Sequence, residues 1–379
     1  MFRIEAIDDS GARAGILATP HGEIHTPAFM PVATRAAVRT LDSEDILSTG
    51  SGMLISNAFL LHLRPGNKVI SSAGGLHNFM NFSGAIFTDS GGFQMIREGF
   101  LVKLTDDGIV LRSPYDGKRV VVRPEDVIEW MEWQLPDIGM ILDDLPPHGT
   151  GIERQRDSVR RTLHWAARAK SRYLKSELRD ADIMLFGILQ GGTDKALRRR
   201  CIEEMTKIEF HGYGIGGLSI GETKEVMMDM IRLTTKALPT EKPIYLMGVG
   251  SPVELLRSIE YGVDIFDSVF PARHARHRTV LTHNGSYSIK SPKNAQNFSP
   301  LEEGCGCPVC KKYTRAYIHH LAKTGEFGWM RLVTIHNLYF IQNLMKKARK
   351  AILHGNYREF IKDFILDYTG DASTQSRSV

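Results

Sequence analysis

No apolar run in this 379-residue sequence approaches the ~18–20 residues that a membrane span requires. The first residues, MFRIEAIDDSGARAG, carry no apolar stretch of the signal-peptide kind, so a cytoplasmic protein without membrane contact is expected. There are only four cysteines, too few for a small disulfide scaffold. Neither sign of charge is in large excess: 48 Lys+Arg against 43 Asp+Glu leaves a net of +5. What is present, 42% hydrophobic and 24% charged residues, is the composition of an ordinary globular protein and excludes a disordered chain or a coiled coil.

The small net charge conceals an asymmetry. Residues 271–350 hold fourteen Lys+Arg and three Asp+Glu (Glu302, Glu303, Glu326), a net of +11, which leaves the remainder at −6. A basic block joined to a mildly acidic body points to a polyanionic partner that meets one region; a merely solvated basic face is the alternative.

Eight short apolar runs end in small or polar residues: Phe29–Ala33, Met53–Asn57, Ala85–Asp89, Ile138–Asp143, Met184–Gln190, Tyr213–Leu218, Ile244–Gly248 and Val263–Asp267. Their near-continuous apolar character suits parallel strands covered on both faces. Helical patterns lie between several of them, among them Arg123–Gln134, Asp157–Leu178, Asp194–Lys207, Thr223–Ala237 and Pro252–Tyr261. Eightfold strand–helix alternation predicts an α/β fold, a (β/α)8 TIM barrel over residues 1–270. An open doubly wound sheet is the alternative, but no Gly-rich phosphate turn follows the first run. Residues 99–122 alternate around Asp-Asp-Gly and Tyr-Asp-Gly-Lys turns and predict an antiparallel hairpin insertion. Residues 271–368 form a separate C-terminal stretch, Cys-rich and then helical from about Gly328 to His354, and 369–379 read as a flexible tail.

Catalytic residues of such barrels project from the C-terminal ends of strands. Those ends carry Asn57, Asp89, Asp143 with Asp144, Gln190, Gly217, Met247 and Asp267. A lone strand-end Asp is often a cap, but three carboxylates at three ends converge on one mouth. No histidine stands at any of the eight ends, which weighs against a metal-dependent barrel hydrolase. Cys305-Gly-Cys307-Pro-Val-Cys310 places three of the four cysteines within six residues. In a cytoplasmic protein that spacing favours a structural Zn2+ over disulfides, with His336, His319 or His320 as the fourth ligand. Cys201, alone on a predicted helix, reads as a packed small residue.

The motifs Asp89-Ser-Gly-Gly-Phe-Gln94, Leu142-Asp-Asp144, Gln190-Gly-Gly192, Gly216-Gly-Leu-Ser-Ile-Gly-Glu222, Tyr245-Leu-Met-Gly-Val-Gly250, Asp264-Ile-Phe-Asp267 and CxCxxC-x25-His occur in that order. Each is short; the ordered set, spanning about Ile4 to Tyr368, resembles the bacterial tRNA-guanine transglycosylase (queuine tRNA-ribosyltransferase) family. The resemblance implies exchange of guanine at the anticodon wobble position of tRNA for 7-aminomethyl-7-deazaguanine, with queuine as the alternative incoming base. It implies a nucleophile at Asp267, a general acid/base at Asp89, and base recognition by Asp143, Gln190, Gly217, Leu218 and Glu222. It implies a sandwich of the base between Phe93 and Met247, zinc on Cys305, Cys307, Cys310 and His336, and a homodimer. The sequence departs from the family at Asp143-Asp144-Leu145-Pro146, where bacterial members commonly have Glu and then Cys-Thr-Pro; Leu145 falls near the substituent on the base.

The residue types suit that chemistry. A carboxylate that attacks the anomeric carbon divides one difficult displacement into two and returns the original stereochemistry. A second carboxylate manages the proton of the departing and incoming purines. Asp143 can accept both donors of a guanine edge, while the Gln190 amide and the Gly217 N–H can donate to its carbonyl. Arg273 and Arg276 follow Asp267 closely and are expected to contact neighbouring nucleotides, with Lys346-Lys-Ala-Arg349-Lys350 on phosphate further out. A non-catalytic RNA-binding protein would need neither Asp89 nor Asp267.

Overall fold

The computed structural model describes residues 2–92 and 99–370. Eight parallel strands form one sheet: β1 Ala28–Pro31, β2 Met53–Asn57, β3 Ala85–Asp89, β4 Ile138–Met140, β5 Met184–Leu189, β6 Gly212–Ile215, β7 Ile244–Leu246 and β8 Ile265–Ser268. Their order, β1-β8-β7-β6-β5-β4-β3-β2, is closed into a barrel by a bridge between Val32 and Ile55. The expected eight-stranded α/β barrel is therefore the fold. The strands arise where bulky apolar residues run uninterrupted, and nearly all of their residues are buried.

Phe87 on β3, Phe186 on β5 and Tyr245 on β7 meet inside the barrel, with ring centroids 5.8 and 6.0 Å apart. Alternate strands thus fill the interior as a layer. The Phe186 ring occupies the space where a Cβ at Gly212 would stand, 2.4 Å away, so β6 is thinned to admit it.

Five of the predicted strands end early, two of them by three residues. β4 stops at Met140, short of Asp143, and β6 at Ile215, short of Leu218. Gly217 has φ +71°, which a β ladder cannot continue, so the residues beyond the ladders are loops over the mouth. The insertion is a three-stranded antiparallel sheet, Leu101–Leu104, Ile109–Arg112 and Arg119–Val122.

An N-terminal antiparallel sheet, Phe2–Ile7, Arg13–Thr19 and Gly22–Thr26, was not expected from the pattern. It closes the N-terminal end of the barrel. Arg13 donates to Asp264 (Nε to Oδ1, 2.9 Å) and to the carbonyls of Thr240 and Lys242, all just ahead of β7 and β8. From β8 the chain passes into the helix Phe270–Arg276, then a hairpin (Thr279–Thr282 with Gly285–Ser288) and the helices Arg315–Thr324, Gly328–Leu353 and Tyr357–Thr369. The long helix Gly328–Leu353 packs on β1 and on Phe270–Arg276. Gln342 donates to Phe29 O and Ser51 Oγ, both at 2.9 Å, and Asn337 donates to the Pro271 and Thr279 carbonyls. Covered on several sides, it buries far more than one stripe of its surface. The expected tail lies almost wholly outside the described residues. No helix among the described residues is long and apolar enough to cross a membrane.

Candidate active site

A cavity of about 510 Å³ opens at the C-terminal ends of the strands. Asp89, Asp143 and Asp267 all line it, together with Gly217, Leu218 and Met247. Asp89 is the last residue of β3, paired across the ladder with Asn57 of β2. Its position two residues after Phe87 turns it inward on the same face. Asp267 lies on β8, and its Oδ1 accepts the Tyr245 hydroxyl at 2.6 Å and the Gly248 N–H at 2.7 Å. Asp143 stands in the loop beyond β4, where Gln190 Nε2 donates to its Oδ2 at 2.6 Å.

Three carboxyls in one buried cavity cannot all keep ordinary acidity. Burial pushes Asp89 up to about 8, the charge of Asp267 and then of Asp143 adds to this, and a Gly91 N–H opposes it. Among the described residues its Oδ1 is buried without a hydrogen-bond partner, as befits a protonated group awaiting a ligand. Burial raises Asp143 to about 6, against the Gln190 hydrogen bond. Burial also raises Asp267, opposed by Tyr245 and Gly248. Divergent protonation of neighbouring carboxyls is the arrangement that separates an acid from a nucleophile.

The wall facing Asp143 is backbone. Gly217 has φ +71°, a conformation that favours glycine, and a Cβ there would stand 2.7 Å from Gln190 Oε1. The Glu222 carboxylate accepts the N–H groups of Ser219 and Ile220 and pins the loop. Because the Leu218–Ser219 peptide is trans, holding its N–H to Glu222 turns the Leu218 carbonyl the other way. Arg198, wholly buried in the helix Lys195–Ile208, donates to Gly192 O and Gly216 O and joins the loops that follow β5 and β6. Arg273 reaches the cavity rim, and Arg276 is half-buried, lowered by burial and then by the charges of Arg39 and Arg273. Phe93 lies outside the described residues.

Tyr245, Arg198 and Arg39 had no assigned role in the sequence. Tyr245 carried one usable signal: it precedes Met247 by two and so shares a face with it. Cys201 is packed as expected, its thiol pushed up to about 11 by burial. Arg349 is a correction, since it cannot grip phosphate. It donates to Gly15 O (2.9 Å) and Thr26 O (2.7 Å) and pairs with Glu5, tying the long helix to the N-terminal sheet.

The thiols of Cys305, Cys307 and Cys310 lie 3.7, 3.6 and 3.4 Å from His336 Nδ1. Tetrahedral zinc, with bonds of ~2.3 Å to sulfur and ~2.0–2.1 Å to nitrogen, requires S···N separations of about 3.6 Å. The donor set therefore fits zinc. Nε2 of His336 meets Leu281 O at 2.8 Å, which fixes the ring so that Nδ1 faces the thiols. His319 instead meets Ile289 O at 2.8 Å. A second cluster, His21, His77 and Asp137, brings three more ligand atoms within 4.8 Å. Its imidazoles are stacked, with centroids 3.4 Å apart and planes 13° from parallel. Two imidazoles aimed at one ion hold their centroids about 5 Å apart, given ~2.0–2.1 Å bonds. This group is instead a clasp. Each ring meets a different Asp137 oxygen at 2.9 Å, and main-chain N–H groups of His21 and Ile86 fill the remaining lone pairs.

The family profile for queuine tRNA-ribosyltransferase matches residues 8–370. A queuine tRNA-ribosyltransferase of Thermoanaerobacter pseudethanolicus is 46% identical over 359 residues, 95% of each chain. That of Pelotomaculum thermopropionicum is 45% identical over 371 residues, 98% of this chain and 99% of its own. That of Halalkalibacterium halodurans is 44% identical over 365 residues, 96% and 95% respectively. With the barrel, the carboxylate-lined mouth and the Cys3His cluster in place, these matches establish that the chain belongs to the queuine tRNA-ribosyltransferase family, a family of pentosyltransferase enzymes.

Proposed function

We propose that the protein exchanges guanine at the wobble position of tRNA for 7-aminomethyl-7-deazaguanine, in queuosine biosynthesis, through a covalent aspartyl-ribosyl intermediate. The observation that carries this reading is the convergence of Asp89, Asp143 and Asp267 on one cavity large enough for a purine. Asp267 attacks the ribose. Asp89, raised to about 8, holds the proton that the leaving purine needs, and recovers one from the incoming base. Asp143, raised only to about 6, is mostly ionised at neutral pH and accepts the two donors of the purine edge. Gln190 and the Gly217 N–H donate to the purine carbonyl, and the Leu218 carbonyl, set by Glu222, receives the cationic aminomethyl group. Met247 and Phe93 cover the two faces of the base.

The base leaves the anticodon stack to enter this cavity, which a loop permits more readily than a duplex. Arg273 and Arg276 then lie beside the emptied stack. The Cys3His site holds a structural zinc, whose closed shell leaves no position for substrate. A cytoplasmic homodimer with the barrel in residues 1–270 and the zinc-binding subdomain in 271–368 belongs to the same reading. One observation favours queuine as a second incoming base. A further cavity of about 260 Å³, containing His148, Thr150 and Gln155, adjoins the first at Leu145, Gly217 and Ile220. It offers room for a polar extension of the aminomethyl nitrogen.

Purified protein should incorporate radiolabelled guanine into unmodified tRNA bearing guanine at the wobble position. Parallel reactions with the aminomethyl base and queuine decide between the two incoming bases. Absence of exchange with every such tRNA would refute the enzymatic reading.

A further inference from the structure

In the exchange proposed above, Asp267 has two tasks. It attacks in the first displacement and departs in the second. Among the described residues its hydrogen-bond donors are the Tyr245 hydroxyl and the Gly248 N–H, and both fall on Oδ1. We infer that Tyr245 and the Gly248 N–H form a two-donor hole for the departing carboxylate of the second displacement, and that Oδ2 is the oxygen that bonds to ribose.

The electron bookkeeping gives the two oxygens different fates. In the first displacement Oδ2 forms a bond to ribose C1′ as the C1′–N9 bond of guanine breaks. That bonding pair passes to the purine, which takes the Asp89 proton. Oδ1 becomes the carbonyl oxygen of a glycosyl ester. In the second displacement the incoming base gives its N9 proton to Asp89 and attacks C1′. The C1′–Oδ2 bond breaks, its pair returns to the carboxyl, and negative charge grows on Oδ1, where both donors already point. Donors fixed in advance at the atom where charge develops lower the barrier most. The same donors stabilise the free carboxylate before the first attack and so blunt its nucleophilicity. Their net service lies in the second half of the cycle.

The surroundings make Tyr245 a fixed donor. Its strand is paired on both sides, with Gly214 of β6 and Ile265 of β8. Its ring meets Phe87 edge-on at 6.0 Å in the barrel interior. Burial, then the Asp267 charge, drives its hydroxyl well above the ordinary tyrosine range, so it keeps its proton throughout. Gly248 has φ +78°, which lets the chain turn off β7 and aim its N–H back at β8.

Tyr245→Phe keeps the ring and removes the hydroxyl. The fraction of enzyme trapped as a denaturant-resistant RNA adduct at steady state should rise several-fold. kcat should fall by about 10²-fold, the usual loss for one such donor, and KM for tRNA should fall with it, because the adduct accumulates. Phe87→Leu, which loosens the ring contact but removes no hydrogen bond, should raise the adduct fraction much less than Tyr245→Phe does. The inference rests on Asp267 being the nucleophile, and the two can fail separately. An adduct lost in Asp267→Ala but unchanged or reduced in Tyr245→Phe would overturn the inference alone. So would a rise of equal size in Phe87→Leu, which would assign the effect to packing. An adduct that survives Asp267→Ala would overturn the reading beneath it.

Discussion

Asp89 holds a proton at a pH where an exposed aspartate has lost it. In the unfolded chain it titrates near 3.8; folded, burial and the Asp267 charge move it to about 8. The folded state therefore binds the extra proton between these values, so this contribution to stability is full below about 4 and is lost as pH rises through about 8. Asn in place of Asp89 has the shape of the protonated carboxyl and no charge to bury. Thermal unfolding of Asp89→Asn should show a Tm gain near zero at pH 4 and of a few degrees at pH 8, with base exchange abolished. A pH-independent difference would mean that Asp89 titrates as an ordinary carboxyl. The three carboxylates were legible because each interrupts an apolar run at its end. Tyr245 was not, because an aromatic residue inside a buried strand reads as core. The destination of its hydroxyl is set by the neighbouring strand, 22 residues away in sequence. Arg198 was hidden for a related reason: a basic residue on an amphipathic helix reads as solvated, yet its guanidinium is wholly buried against two loop carbonyls.

The long helix Gly328–Leu353 couples the Cys3His cluster to the mouth. His336 faces the thiols, and its neighbour Asn337 holds the Pro271 carbonyl at the start of the helix that carries Arg273 and Arg276. Loss of zinc should therefore loosen the arginine-bearing helix as well as the Cys-rich loop. His336→Ala should lower the zinc content, measured by atomic absorption, from about one per chain to near zero, since a closed four-ligand shell holds structural zinc. Hydrogen exchange in residues 270–276 should rise, while the strands β3 to β6 stay protected. Unchanged protection of 270–276 would dissociate the two elements. Strand positions were legible from runs of bulky apolar residues, and strand ends were not. Where a ladder stops depends on loop conformations such as that at Gly217, which the apolar pattern does not carry. The N-terminal sheet was missed because Phe2–Ile7 is only half-buried, and its partners, Asp137 and Asp264, are far along the chain.

For the whole molecule, the +5 is the sum of a body of net −6, whose mouth holds the three carboxyls, and a block of net +11 that begins four residues after Asp267. The block is smaller in effect than its count, since Arg349 and Arg331 are engaged with Glu5 and Asp45. At the rim Arg273 lines the cavity, and Arg276 lies near enough to it and to Arg39, from the other end of the sequence, to feel both charges. If the rim holds tRNA phosphate, log Kd against log salt should flatten by about one unit for each phosphate contact removed. Arg273→Ala should then reduce the slope by about one, with exchange recoverable at higher tRNA concentration. An unchanged slope would place this arginine on bases or on no nucleotide at all.

The sealed barrel floor has a consequence for synthesis. Arg13 waits for Asp264, 251 residues later, and Gly15 for Arg349, 334 residues later. At ~5–20 residues per second, the first of these partners emerges roughly 12–50 s after Arg13. Over that interval the N-terminal sheet has nothing to cover, and its edges are open to other nascent chains. Contacts so distant in sequence also slow closure itself. The first sheet to leave the ribosome pairs within itself at once but is among the last elements to dock on the rest of the fold.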